Sequence, residues 1–122
     1  MATGEEGAAA LATPAEVLDA VARFAPTEDG NWLALDALLD RLWCLGGPDA
    51  DALPVLFGVF ERFPEDDGAG VLWSVLHGVE DFEPGFYEAA LRASVARVPS
   101  LMGTTMLRRL ERSRARGDGT SA

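Results

Sequence analysis

The chain has 122 residues, enough for one domain with its own core and no need of a disulfide or metal to hold it. Its net charge of −10 disfavours nucleic acid and anionic membrane as partners and speeds encounter with a basic one. No apolar run approaches the roughly 18 residues of a membrane span, the single Cys44 can make neither an intrachain disulfide nor a zinc site, and the acidic start Met1–Glu6 followed by the short apolar stretch Ala8–Ala12 does not read as a secretory signal. A reducing, cytoplasmic compartment is the expectation.

In chain order, Thr13-Pro14-Ala15-Glu16 reads as a capping box with proline at the first helical position. Val17, Leu18, Val21, Phe24 and Ala25 then share one helical face before Pro26. A second helix is expected from Asn31, with Trp32, Leu35, Leu38, Leu39 and Leu42 as its stripe and Gly46-Gly47 as its stop. Cys44, among Leu42, Trp43 and Leu45, reads as a small buried hydrophobe. A third, over about 51–63, carries Leu53, Leu56, Phe57, Phe60 and Phe63, with Pro54 tolerated in its first turn. Pro64 and the acidic run Glu65-Asp66-Asp67 precede a fourth over about 69–80, whose Leu72, Val75, Leu76 and Val79 point inward. A fifth starts at Pro84 and buries Tyr87, Leu91, Val95 and Val98. The sixth is capped by Ser100 and carries Met102, Met106 and Leu110 as core residues until Gly117. Alternating β-branched runs and Asn-Gly hairpin turns are lacking. The expectation is an all-α single domain over 13–116, with disordered ends at 1–12 and 117–122.

The six helices pair off as 14–45, 49–80 and 84–116. The first helix of each pair ends alike: Val21-Ala22-Arg23-Phe24, Phe60-Glu61-Arg62-Phe63 and Val95-Ala96-Arg97-Val98, each followed by a proline. A recurrence of this length marks two-helix units that bury their open faces by stacking. Three stacked antiparallel pairs, HEAT-like, are therefore expected, with an irregular six-helix bundle as the alternative. In such a stack the loops within pairs lie along one edge, carrying Glu28, Asp29, Glu65, Asp66 and Asp67. The loops between pairs lie along the other, with Asp49, Asp51, Glu80, Asp81 and Glu83. Local capping and helix-dipole chemistry accounts for many of these carboxylates.

Charge is also uneven along the chain. Residues 1–91 hold eighteen carboxylates against three arginines, −15, while residues 92–122 hold seven arginines against Glu111 and Asp118, +5. The arginine-rich end (Arg108, Arg109, Arg112, Arg114, Arg116) could touch phosphate, but it also suits the C-terminal end of a helix dipole.

Catalytic and metal constellations are thin. His77 is the only histidine, with Trp73, Glu80 and Asp81 at helical neighbour positions. A carboxylate one turn away can orient an imidazole for base chemistry, yet no second histidine or nucleophile accompanies it, and Gly78 beside it suggests close helix packing. Gly68-Ala69-Gly70 lacks the third glycine, preceding strand and lysine of a phosphate loop. Asp-x-Asp pairs without further spaced oxygen ligands do not make a calcium loop. No cofactor and no metal are expected.

The stretch Gly70-Val71-Leu72-Trp73-Ser74-Val75-Leu76-His77-Gly78-Val79-Glu80, with Tyr87, Leu91, Pro99-Ser100, Leu107 and Leu110 after it, resembles small all-helical immunity proteins of bacterial polymorphic and contact-dependent toxin systems. The resemblance covers about residues 52–112 and departs at Asp81, where such proteins often carry serine. It implies a non-catalytic inhibitor that binds a cognate toxin domain and blocks its active site; the acidic composition independently suits steric and electrostatic capture of a basic domain such as a nuclease. Asp66, Asp67, Glu80, Asp81 and Glu83 are the partner-binding candidates, with His77 beside them and Trp73 and Tyr87 as aromatic anchors. The alternatives are a HEAT-like scaffold or chaperone for another protein, and an enzyme built on His77.

Overall fold

Local signals fix most helix ends in the computed structural model, which describes residues 11–121, with side chains through 116. The Thr13 hydroxyl accepts from the Glu16 amide (3.2 Å) while the Glu16 carboxylate accepts from the Thr13 amide (3.1 Å), so the capping box forms. The Asp49 carboxylate takes the Ala52 amide at 3.0 Å, and the Ser100 hydroxyl takes the Gly103 amide at 2.8 Å. The described residues form six α-helices: α1 (Pro14–Arg23), α2 (Leu33–Cys44), α3 (Ala52–Arg62), α4 (Val71–Glu80), α5 (Pro84–Arg97) and α6 (Leu101–Ser121). A 3-10 turn, Gly68–Gly70, leads into α4. Among the described residues there is no strand and no helix long and apolar enough to cross a membrane.

The pairs α1/α2, α3/α4 and α5/α6 stack in two layers. Helix α3 lies between α1 and α5 in one layer, and α4 lies between α2 and α6 in the other. The stack is not fully regular, since α3 approaches α6 more closely than it approaches its own hairpin partner α4. The expected stripes meet between the layers, where Leu35, Leu39, Leu42, Leu56, Phe57, Phe60, Leu72, Leu76, Leu91 and Met106 are fully buried. Each such side chain favours folding by about 1.5–3 kcal/mol relative to exposure.

The recurring arginines join successive units. Arg62, at the end of α3, donates from Nη1 to the Phe24 carbonyl (2.6 Å) and from Nη2 to the Val21 carbonyl (2.9 Å), capping the C-terminus of α1. Arg97, at the matching place in α5, grips Glu61 of α3 through Nε (3.1 Å) and Nη2 (2.9 Å). Arg23, in the first described helix, folds back on Asp19 of its own helix at the surface. The two edges also form. Along the first, Trp32 packs edge-on against Phe63 (centroids 5.0 Å apart) and tilted on Phe24 (5.5 Å), and the Leu101 amide donates to the Pro64 carbonyl.

Several boundaries differ from the sequence reading. Helix α1 stops at Arg23 because Phe24 is extended (φ −62°, ψ 141°) and the residue before Pro26 avoids the helical region; Ala25 is exposed. Helix α2 starts at Leu33, since the Asn31 side chain accepts the Leu33 amide from outside the helix (2.9 Å). Ala69 (φ 53°) and Gly70 (φ 93°) are left-handed, which delays α4 to Val71. Cys44 is exposed, not buried: it stands one turn after exposed Asp40, off the leucine stripe. In α5 it is Ser94, hydrogen-bonded to Glu61 at 2.8 Å, that is buried, while Val95 and Val98 are half-buried. Helix α6 runs through Gly117 to Ser121, because an isolated glycine costs only about 1 kcal/mol and does not by itself end a helix. Residues 1–10, in the segment read as disordered, lie outside the described residues.

Candidate functional site

The second edge, where α4 turns into α5, carries the features a partner could use. The turn is Asp81-Phe82-Glu83. Phe82 is 39% exposed and its ring lies tilted on that of Phe86, with centroids 4.9 Å apart. Asp81 and Glu83 are exposed and make no ion pair among the described residues. Phe82 thus forms a ridge with a free carboxylate on each side.

A depression lies on either side of the ridge. One, of about 500 Å³, is lined by Trp43, Ser74, His77, Gly78, Asp81 and Phe82. Its shape depends on Gly78: a Cβ there would come within 2.5 Å of Cζ2 of Trp43, so only glycine lets the indole lie across α4. His77 is exposed, its ring lies 5.8 Å from that of the half-buried Trp73, and its imidazole makes no hydrogen bond or ion pair among the described residues. The other depression, of about 510 Å³, lies between Phe82 and α6 and is lined by Glu80, Tyr87, Arg109, Arg112 and Arg116 among others.

On that side the charge is neutralised internally. Glu80 accepts from Arg109 Nε and Nη2, both at 2.9 Å, and this pairing holds the guanidinium's pKa above its ordinary value. Glu88 accepts from Arg92 at 2.8 Å and from Arg114 at 2.6 Å; the Arg92 hydrogen bond is the main reason its carboxyl sits below the usual range. Tyr87 is buried at 4% exposure, and burial, with Glu80 nearby, pushes its phenol upward. Two arginines of α6, Arg109 and Arg114, are therefore bound to carboxylates of α4 and α5.

The eight residues singled out from the sequence fall into three groups. His77, Asp81 and Glu83 cluster at the open edge, with Trp73 beside His77. Glu80 and Tyr87 face α6, the first ion-paired and the second buried. Asp66 and Asp67 stand at the far end of α4, beyond its 10 residues, about 15 Å of helix axis. There Asp66 accepts the Gly68 amide at 2.9 Å and shapes the 3-10 turn. Sequence reasoning overlooked Phe82 and Trp43. The signal for Phe82 was present, as a lone aromatic between two acids in a turn, on neither helix stripe. No group of three or more His, Cys, Asp or Glu suited to a metal ion occurs among the described residues.

Comparison with known proteins places this geometry beside no relative: no family model, no curated protein and no solved structure matches the chain significantly.

Proposed function

We propose that the chain is an immunity protein that captures a basic toxin domain through the α4–α5 edge and blocks it without catalysis. The observation that carries this reading is the Asp81-Phe82-Glu83 turn, an exposed aromatic ridge flanked by two carboxylates without ion pairs. Aromatic anchors seated in a partner's pocket dominate the binding energy of protein interfaces. The chain's net charge of −10 supplies the long-range field that accelerates docking of a cation-rich surface. Close charge pairs across such interfaces couple by about 1.5–7 kcal/mol. The protein acts in the cytoplasm of the toxin-producing cell, where its lone exposed thiol stays reduced.

The test is co-expression with the C-terminal domain of the protein encoded immediately upstream. Rescue of growth together with co-purification of the two chains is the expected result. A neighbour that is harmless alone, or that fails to co-purify, overturns the reading. A harmless but co-purifying neighbour points instead to the scaffold or chaperone role.

A further inference from the structure

We propose that the depression between Trp43 and Asp81 is a socket for one arginine side chain of the captured domain. The inference rests on the reading of the chain as a binder of a basic partner and specifies what that partner must present. Three sources of negative potential converge there. Asp81 offers a carboxylate with no ion pair among the described residues. It stands at the C-cap of α4, where the helix dipole presents its negative end. Trp43 and Phe82 contribute aromatic walls, whose ring faces attract cations.

The chain's own arginines leave the socket open. Arg109, the arginine bonded to α4, is committed to Glu80 and lines the opposite side of the Phe82 ridge. The depression has room, about 500 Å³, and Ser74 and His77 add hydrogen-bonding atoms to its wall. Arginine suits this set better than lysine. Its planar guanidinium can stack on an indole while donating in a fork to a carboxylate, and it is the more weakly hydrated of the two cations. Gly78 completes the case, because the wall formed by Trp43 exists only while position 78 lacks a side chain.

The full chain should be titrated with N-acetyl-L-arginine methylamide and followed by proton–nitrogen correlation spectra. The expected result is a saturable shift of the Trp43 indole and of the Gly78 and Asp81 amides, with the lysine analogue binding several-fold more weakly. Asp81→Asn should weaken arginine binding several-fold and Trp43→Leu should remove it, while Glu65→Gln on the other edge should leave it unchanged. No saturable shift at these resonances, equal affinity for the lysine analogue, or an unaffected Asp81→Asn overturns the socket. These outcomes are separable from failure of the immunity reading, which co-expression decides. A partner that co-purifies equally well with Asp81→Asn removes the socket alone, and arginine-amide binding without any co-purifying neighbour removes the partner assignment alone.

Discussion

At the edge where each helix pair turns, Arg62 caps the carbonyls of α1, and Arg97 and Ser94 hold both oxygens of Glu61. At the opposite edge, Asp81 and Glu83 stand in solvent beside Phe82 with no ion pair among the described residues. Both edges are built from charged residues at helix ends, so composition does not separate them. What separates them is whether a complementary group on the neighbouring unit lies within reach. Arg62, Arg97 and Glu61 hold units together, and changing them should register in stability. Asp81 and Glu83 contribute little to folding and are available to a partner.

The comparison can be broken first at Gly78, where the open edge depends on close packing. Gly78→Ala should destabilise the fold by about 1–3 kcal/mol, because the new methyl meets Trp43; chemical denaturation with tryptophan fluorescence checks both the loss and the altered indole environment. Next comes Arg62→Ala, which leaves the Val21 and Phe24 carbonyls without their guanidinium donors. A loss of about 1–2 kcal/mol is expected, measured as a lower denaturant midpoint at unchanged slope.

Glu61→Gln should cost under about 1 kcal/mol near neutrality, and its signature is in the pH dependence. The Arg97 hydrogen bond holds the Glu61 carboxyl below its ordinary value. Its stabilisation is therefore complete above the unfolded-chain pKa and is lost as pH falls through the lower folded value. Thermal melts across that acidic range should show the parent chain losing more stability than Glu61→Gln. The smallest effect is expected for Asp81→Asn with Glu83→Gln, whose midpoint should stay within about 0.5 kcal/mol of the parent.

The same contrast explains what the sequence disclosed. Helix number, core stripes and the two edges were legible because apolar spacing, the Thr13–Glu16 box and the Ser100 cap are local patterns. The repeated arginine was visible as a recurrence, but its role was not, since its partners lie 38 and 36 residues away. Glu80 read as a binding carboxylate for the same reason, its Arg109 partner being supplied by another helix. Cys44 and Ala25 read as core from their apolar neighbours, although helical phase puts Cys44 outside and an early helix end puts Ala25 there. Phe82 escaped notice because periodicity directs attention to helix faces, and a turn has none.

The most direct measurement pairs one variant with two readouts: Asp81→Asn combined with Phe82→Ala, assayed for affinity to the upstream-encoded domain and for its own unfolding midpoint. The account predicts affinity lower by at least about tenfold, roughly 1.4 kcal/mol, with a folded variant whose stability falls by no more than about 1–2 kcal/mol, the cost of a partly exposed ring. Unchanged affinity, or a loss of binding that only follows a loss of folding, would contradict it.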